Sequence, residues 1–230
     1  MNGEQAVGSA GIDSRSAAQL TIPYSPFTIN IYLIICFFAE LVNEFDLCST
    51  HHSPLTTMVT IISATNRPGS STLQLAQYYQ RRLHQKGLEA GLFSLMQLPP
   101  DLIATDLYGK RSGAFKPVQE IITRTEKFLF VIPEYNGSFP GVLKVFIDAC
   151  DLPESFYDKK AALTGLSSGK YGNIRGVDHF TGVCHYLHMH VMSLKIHIPD
   201  IKKEFDGHYN LYKKDTVQFT DEQMDKFIAF

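Results

Sequence analysis

The chain has no tryptophan, so the stacking of any planar ligand falls to tyrosine or phenylalanine. It has four cysteines, Cys36, Cys48, Cys150 and Cys184, and no two form a C-x-x-C pair. Their spacing is not that of a disulfide framework, and reduced thiols in a cytosolic enzyme are the plain reading. Charge is sparse: 19% of residues are charged and the formal net charge is -2, so the basic footprint of a nucleic-acid binder is missing. A long apolar run is missing too. Phe27 to Val42 is interrupted by Asn30 and Glu40 and falls short of the ~20 residues that cross a bilayer. No basic segment closely precedes it and no small-residue cleavage site follows, so it is a poor signal peptide. Neither G-x-G-x-x-G nor G-x-x-x-x-G-K-[ST] occurs, so neither a dinucleotide fold nor a P-loop NTPase is indicated. What remains is a cytoplasmic globular chain with no membrane span, long enough at 230 residues for one good core and an extension.

The chain changes character near residue 57. Residues 1–26 are rich in Ser, Ala, Gly and Gln with little periodicity, as in disordered segments. The apolar stretch that follows fits a buried element, a peripheral membrane contact or a non-native leader, with Met58 as the true start. Residues 1–57 are therefore expected to be an extension, disordered or loosely packed, that the main domain does not need.

From Met58 the pattern alternates. Strands are expected at Met58–Ser63, Leu88–Leu95, Lys127–Ile132, Lys160–Leu166 and Val191–Ile198. Helices are expected at Thr72–Gln85, Phe115–Thr125, Gly141–Asp151 and Ile174–Met189, with loop at Leu98–Gly113. A short terminal helix is expected from Thr220, where Thr-Asp-Glu-Gln has the form of a capping box. Strands separated by helices imply parallel pairing with right-handed crossovers. The expected fold is α/β: a three-layer α/β/α sandwich with a five-stranded parallel sheet in the order 2-1-3-4-5, whose switch point lies between strands 1 and 3.

Three turns then fall on one rim of that sheet. The first, residues 65–72, carries hydroxyls, Asn66, Arg67 and Gly69 ahead of a helix. Helix N-terminal N–H groups attract phosphate, and Arg67 supplies charge; the plainer alternative is ordinary helix capping by Ser70. The second, residues 133–140, offers Tyr135 for a ring face and Asn136 for a polar edge. Gly137 permits a backbone that side chains disfavour. Its plainer alternative is a surface loop with Ser138 as helix cap. The third, residues 167–173, is small and Gly-rich, as many βα loops are. His185, His188 and His190 cluster in sequence; on a helix the first two share a face, which is too few ligands for a structural zinc. The pairs Lys202-Lys203 and Lys213-Lys214 read as solvated.

Together these residues resemble the NADPH-dependent FMN reductase family, which has a flavodoxin-like fold. Its first motif, of the form GSxRxxSxN, falls on residues 64–72: Arg67 and Ser70 match, Thr65 keeps a hydroxyl, Ala64 replaces glycine and Thr72 replaces asparagine. Its second motif, PEYNGS followed by PGxLKNxxD, matches at Pro133 through Ser138, Pro140, Gly141, Leu143, Lys144 and Asp148, with Val145 in place of asparagine. The resemblance runs from Met58 to Ile198. It implies that Arg67, Ser70, Ser71 and Thr72 hold the FMN phosphate. It implies that Pro133, Glu134, Tyr135, Asn136 and Gly137 line the isoalloxazine and that Ser168 and Gly169 close its other side. It also implies NADPH or NADH as co-substrate, a homodimer or homotetramer, and a quinone, azo, chromate or free-flavin acceptor. The flavin carries the chemistry, so no catalytic side chain and no metal are expected. The alternatives are a non-enzymatic FMN-binding electron carrier of flavodoxin type, against which the weak net charge argues, and a degenerate relative acting as an interaction protein.

Overall fold

The computed structural model describes residues 58–110 and 112–230; the expectations for residues 1–57 lie outside the described residues. The described residues all fall within one compact unit. Strands β1 (Val59–Ser63), β2 (Ala90–Ser94), β3 (Lys127–Pro133) and β4 (Lys160–Leu166) pair in parallel, followed at the edge by β5 (His190–Val191), in the order β2-β1-β3-β4-β5. This is the expected flavodoxin-like order, with the switch point between β1 and β3.

Alternation along the central strands makes two cores. Phe128, Phe130 and Ile132 of β3 face one side, with buried residues of α3 (Lys116–Arg124), α4 (Gly141–Ala149) and α5 (Ile174–Tyr186). Leu129 and Val131 face the other, with α1 (Ser71–Gln85) and α6 (Lys214–Ala229). The side-chain period of two in a strand buried on both faces demands this split. A short helix, α2 (Leu102–Thr105), interrupts the stretch expected to be loop.

Four expectations are corrected. The fifth strand is not continuous: β5 pairs with Lys160 and Ala161, while β6 (Ile196–Ile198) pairs with Thr164 to Leu166. Between them the Gln223 amide of α6 donates to Leu163 O at 3.0 Å and Leu194 O at 3.4 Å, so a side chain stands in where a ladder bond is missing. The terminal helix begins at Lys214, and Thr220 lies inside it, donating back to Thr216 O and Val217 O, the in-helix bonding of a buried threonine. Ser138 is not a helix cap: Pro140 holds that position, and Ser138 Oγ lies 2.9 Å from His179 Nδ1. Finally, α5 ends at Tyr186, so His188 does not share a helix face with His185. His188 instead sits at φ 57 and stacks on Tyr157, with ring centroids 4.5 Å apart.

Cys150 and Cys184 are buried and neither forms a disulfide; burial pushes the Cys184 thiol up to about 12, leaving it inert as a nucleophile. Among the described residues no helix is long and apolar enough to cross a membrane.

His197 on β6 is half-buried, and its Nδ1 has no hydrogen-bond partner among the described residues. Burial holds its pKa below the ordinary 6.5, opposed by a backbone bond involving Gly172 and by the Asp178 carboxylate. On acidification the unfolded chain therefore takes up this proton near pH 6.5, before the folded one does, and stability falls as the pH drops below that value. Thermal melts between pH 7 and pH 5 should show this slope, and His197→Leu should flatten it; an unchanged slope would exclude His197 as its source.

Candidate functional site

β1 continues one residue past its end, with Ala64 N donating to Val131 O at 3.0 Å, and then breaks into the first turn. Thr65 Oγ1 accepts from Arg67 N at 3.2 Å. Gly69 adopts φ +60, a conformation glycine takes without steric cost. Ser70 caps α1: its extended backbone ends the turn and its Oγ accepts from Leu73 N at 3.2 Å. Capping engages only the oxygen as acceptor, so the hydroxyl hydrogen remains available to a ligand. The backbone N–H groups of Gly69, Ser70, Ser71 and Thr72 have no acceptor among the described residues, as expected where a helix begins. The cap and the donor site are one structure.

The second turn is a two-residue hairpin. Tyr135 and Ser138 exchange backbone bonds at 2.9 and 3.0 Å, and Asn136 and Gly137 sit at φ 52 and 77. Two consecutive left-handed residues make the type I′ turn for which Asn-Gly is the preferred sequence. The Tyr135 hydroxyl lies 2.8 Å from Thr65 Oγ1, joining the first turn to the second. Glu134 N donates to Leu166 O at 2.9 Å, which ties the second turn to β4.

The third turn is held from within and from below. Ser167 Oγ donates to Gly169 O at 2.9 Å and accepts from Gly172 N at 3.0 Å. Asn173, the N-cap of α5, accepts from Gly176 N at 3.1 Å and donates to Ile132 O at 2.9 Å. Gly172 is left-handed, and a Cβ there would stand 2.6 Å from the backbone of His197 and Ile198, so the turn packs directly on β6.

These turns enclose one cleft of about 240 Å³. Arg67, Ser70, Ser71 and Thr72 line it, with Pro133, Glu134, Tyr135 and Ser168. Of the residues expected here, Asn136, Gly137 and Gly169 do not line it: the first two form the hairpin tip, and the Gly169 carbonyl is occupied by Ser167 Oγ and Asp200 N. Ile201 and Lys202 line the cleft although sequence reading left Lys202 in solvent. No local signal marks it, because its place depends on how the chain leaves β6. Lys213, also read as solvated, pairs with the buried Glu204 at 2.6 Å. Glu134 also faces a second, smaller hollow with Tyr171, Ile174 and Arg175.

The donor set fits a phosphomonoester: helix N-terminal N–H groups, three hydroxyls and a guanidinium that lies within ion-pair distance of no carboxylate among the described residues. Anions gain from both the unpaired N–H groups and the helix dipole. Beyond that end, Pro133, Glu134, Tyr135 and Ser168 give a wall with one aromatic face and polar edges, which fits a flat heterocycle. Together they fit a mononucleotide such as FMN.

A family model described as NADPH-dependent FMN reductase matches residues 57–202. Among curated proteins, a 2-hydroxy-1,4-benzoquinone reductase of Burkholderia sp is 34% identical over 113 residues, covering 47% of this chain and 62% of that protein. An NAD(P)H:quinone oxidoreductase of Solanum tuberosum is 32% identical over 111 residues, covering 46% and 55%. The chain thus spans a little over half the length of these curated relatives. Among solved structures, the FerB flavoenzyme NAD(P)H:(acceptor) oxidoreductase of Paracoccus denitrificans superposes with TM-score 0.63 at 22% identity, over 75% of this chain and 96% of its own. The apo form of an NADH:FMN oxidoreductase, EMOB, gives TM-score 0.63 at 20% identity, over 76% and 89%. At such identities these two show a shared fold.

Proposed function

Because this chain belongs to the NADPH-dependent FMN reductase family, we propose that it is an FMN-dependent NAD(P)H oxidoreductase that delivers electrons to a quinone. The observation that carries this reading is the convergence of three turns on one cleft, with a phosphate-type donor set at one end and an aromatic, polar-edged wall beyond it. The names of two relatives support a quinone as acceptor; azo compounds, chromate and free flavins are the other acceptors to assay. Bound FMN supplies hydride acceptance from NADPH or NADH and electron release to the acceptor.

The chain's own residues bind, orient and polarise. Arg67, the N–H groups at the start of α1 and the hydroxyls of Ser70, Ser71 and Thr72 would hold the phosphate. Pro133, Glu134 and Tyr135, carried by the Asn136-Gly137 hairpin, would shape one side of the ring slot; Ser168, next to Gly169 in the third turn, would shape the other. Ser168 lines the cleft and its backbone N–H has no acceptor among the described residues, so it would offer a fixed donor to a ring that gains negative charge on reduction. The Thr65–Tyr135 bond holds phosphate turn and ring turn at one separation, so the cofactor meets a preformed site. No side chain has to move a proton for the hydride step. The reading includes a cytoplasmic homodimer or homotetramer, which sedimentation would check.

The test is direct. Purified protein should be yellow, and NADPH oxidation should start on adding a benzoquinone. Colourless protein that takes up no FMN and oxidises no NADPH would refute it. Tyr135→Phe should keep the fold but weaken FMN binding about fivefold, the loss of one neutral hydrogen bond of about 1 kcal/mol, read by quenching of flavin fluorescence.

A further inference from the structure

The cleft has a fourth wall that the three turns do not supply. After β6 the chain turns at Asp200, left-handed at φ 46, into a short 3₁₀ segment, Ile201–Lys203. Ile201 and Lys202 line the same cleft as Arg67 and the start of α1. This segment is fastened on both sides. Asp200 N donates to Gly169 O at 2.9 Å and Ile201 N to Ser167 O at 3.0 Å, stitching it to the third turn. Ile201 is buried in the core shared with α1 and α6. On its far side, buried Glu204 accepts from Lys213 Nζ at 2.6 Å and Thr216 Oγ1 at 2.8 Å, which fixes it to the start of α6.

The two lysines of the segment differ. Lys203 lies 3.5 Å from Asp200 and does not line the cleft. Lys202 lines it, and among the described residues no carboxylate lies within ion-pair distance of it. Lys202 and Arg67 therefore present two unneutralised cations to one concave, donor-rich space. Like charges around a common cleft repel, and they focus potential on an anion that enters between them.

We propose that Lys202 is a second phosphate-recognising cation of this cleft and sets its preference for the phosphorylated flavin over riboflavin. The inference rests on the flavin reading above and goes beyond it by naming what selects the cofactor. A phosphomonoester is close to a dianion at neutral pH. Arg67 and the α1 N-terminus answer part of that charge; Lys202, a point charge on a flexible stem lining the same cleft, answers more. Riboflavin has no phosphate and gains nothing from Lys202.

Fluorescence titration of the full chain, stripped of flavin, with FMN and separately with riboflavin tests this. Lys202→Met should raise the Kd for FMN roughly tenfold, the loss of one charge-assisted contact, and leave riboflavin within twofold. Lys202→Arg should recover most of the FMN affinity, and Lys203→Met should match the parent protein. Added KCl should weaken FMN binding less in Lys202→Met than in the parent, because one screened charge is gone. If Lys202→Met leaves FMN affinity unchanged while Arg67→Met weakens it, the assignment of Lys202 is wrong and the flavin reading stands. Equal weakening for both flavins would mean a structural role and would also overturn it. If the parent chain binds neither flavin, both fall.

Discussion

Gly176→Ala should cost the protein both stability and flavin. Gly176 is in the first turn of α5, and a Cβ there would lie 2.1 Å from Asn173 Oδ1 and 2.6 Å from the Ser138 carbonyl carbon. Neither neighbour can yield cheaply. Asn173 is fully buried, caps α5 and holds Ile132 O at the end of β3; Ser138 closes the ring hairpin. Overpacking costs about 1–3 kcal/mol and a lost cap about 1 more. A loss of about 2–4 kcal/mol corresponds to a fall of roughly 10 °C in Tm for a domain of this size. FMN affinity should fall by at least about tenfold, since 1.4 kcal/mol of hairpin displacement is enough for that. Gly182→Ala is the control on the same helix: nothing lies within 4 Å of its Cβ, and replacing an interior glycine should raise stability by up to about 1 kcal/mol. If both variants melt like the parent, the contact between α5 and the ring hairpin is not what the structure describes.

Arg67→Ala should be the most damaging substitution for cofactor binding that leaves the fold intact. Arg67 is exposed in the turn between β1 and α1, lines the cleft, and has no carboxylate within ion-pair distance among the described residues. Its removal therefore breaks no internal pair, and Tm without flavin should stay within about 1 °C, as for surface changes of under about 0.5 kcal/mol. A guanidinium bound to a phosphate contributes about 1.5–3 kcal/mol, so the Kd for FMN should rise by roughly 10- to 150-fold. Riboflavin affinity should change little. Equal losses for FMN and riboflavin would move Arg67 from the phosphate to the ring.

The sequence was most readable where structure is decided locally. The span of β4 needs only the apolar run Lys160–Leu166. The hairpin after β3 needs only Asn136-Gly137, whose left-handed backbone is a property of those residues. The start of α1 is readable for the same reason: Ser70, Ser71 and Thr72 open a helix wherever they stand before one. Reading failed where distant residues decide. The gap between β5 and β6 depends on Gln223, which lies beyond the whole sheet in sequence. The string Thr220-Asp221-Glu222-Gln223 has the chemistry of a helix start, but buried Gln223 is bonded to Tyr79 and Leu163 as an interior residue of α6. Lys202 reaches the cleft only because Asp200 and Ile201 are stitched to residues 167–169, a contact that local chemistry does not announce. Asn136 and Gly137 form the expected turn but are not among the residues that line the cleft.

The central claim is that one mononucleotide occupies the cleft between the first and third turns, phosphate toward α1. The most direct measurement is the visible spectrum of the full chain after incubation with FMN and removal of free flavin by gel filtration. A flavin spectrum with one FMN per chain is expected, and its loss when Arg67→Ala is treated in the same way at low micromolar concentration. A colourless parent protein, or a full complement of FMN retained by Arg67→Ala, would contradict it.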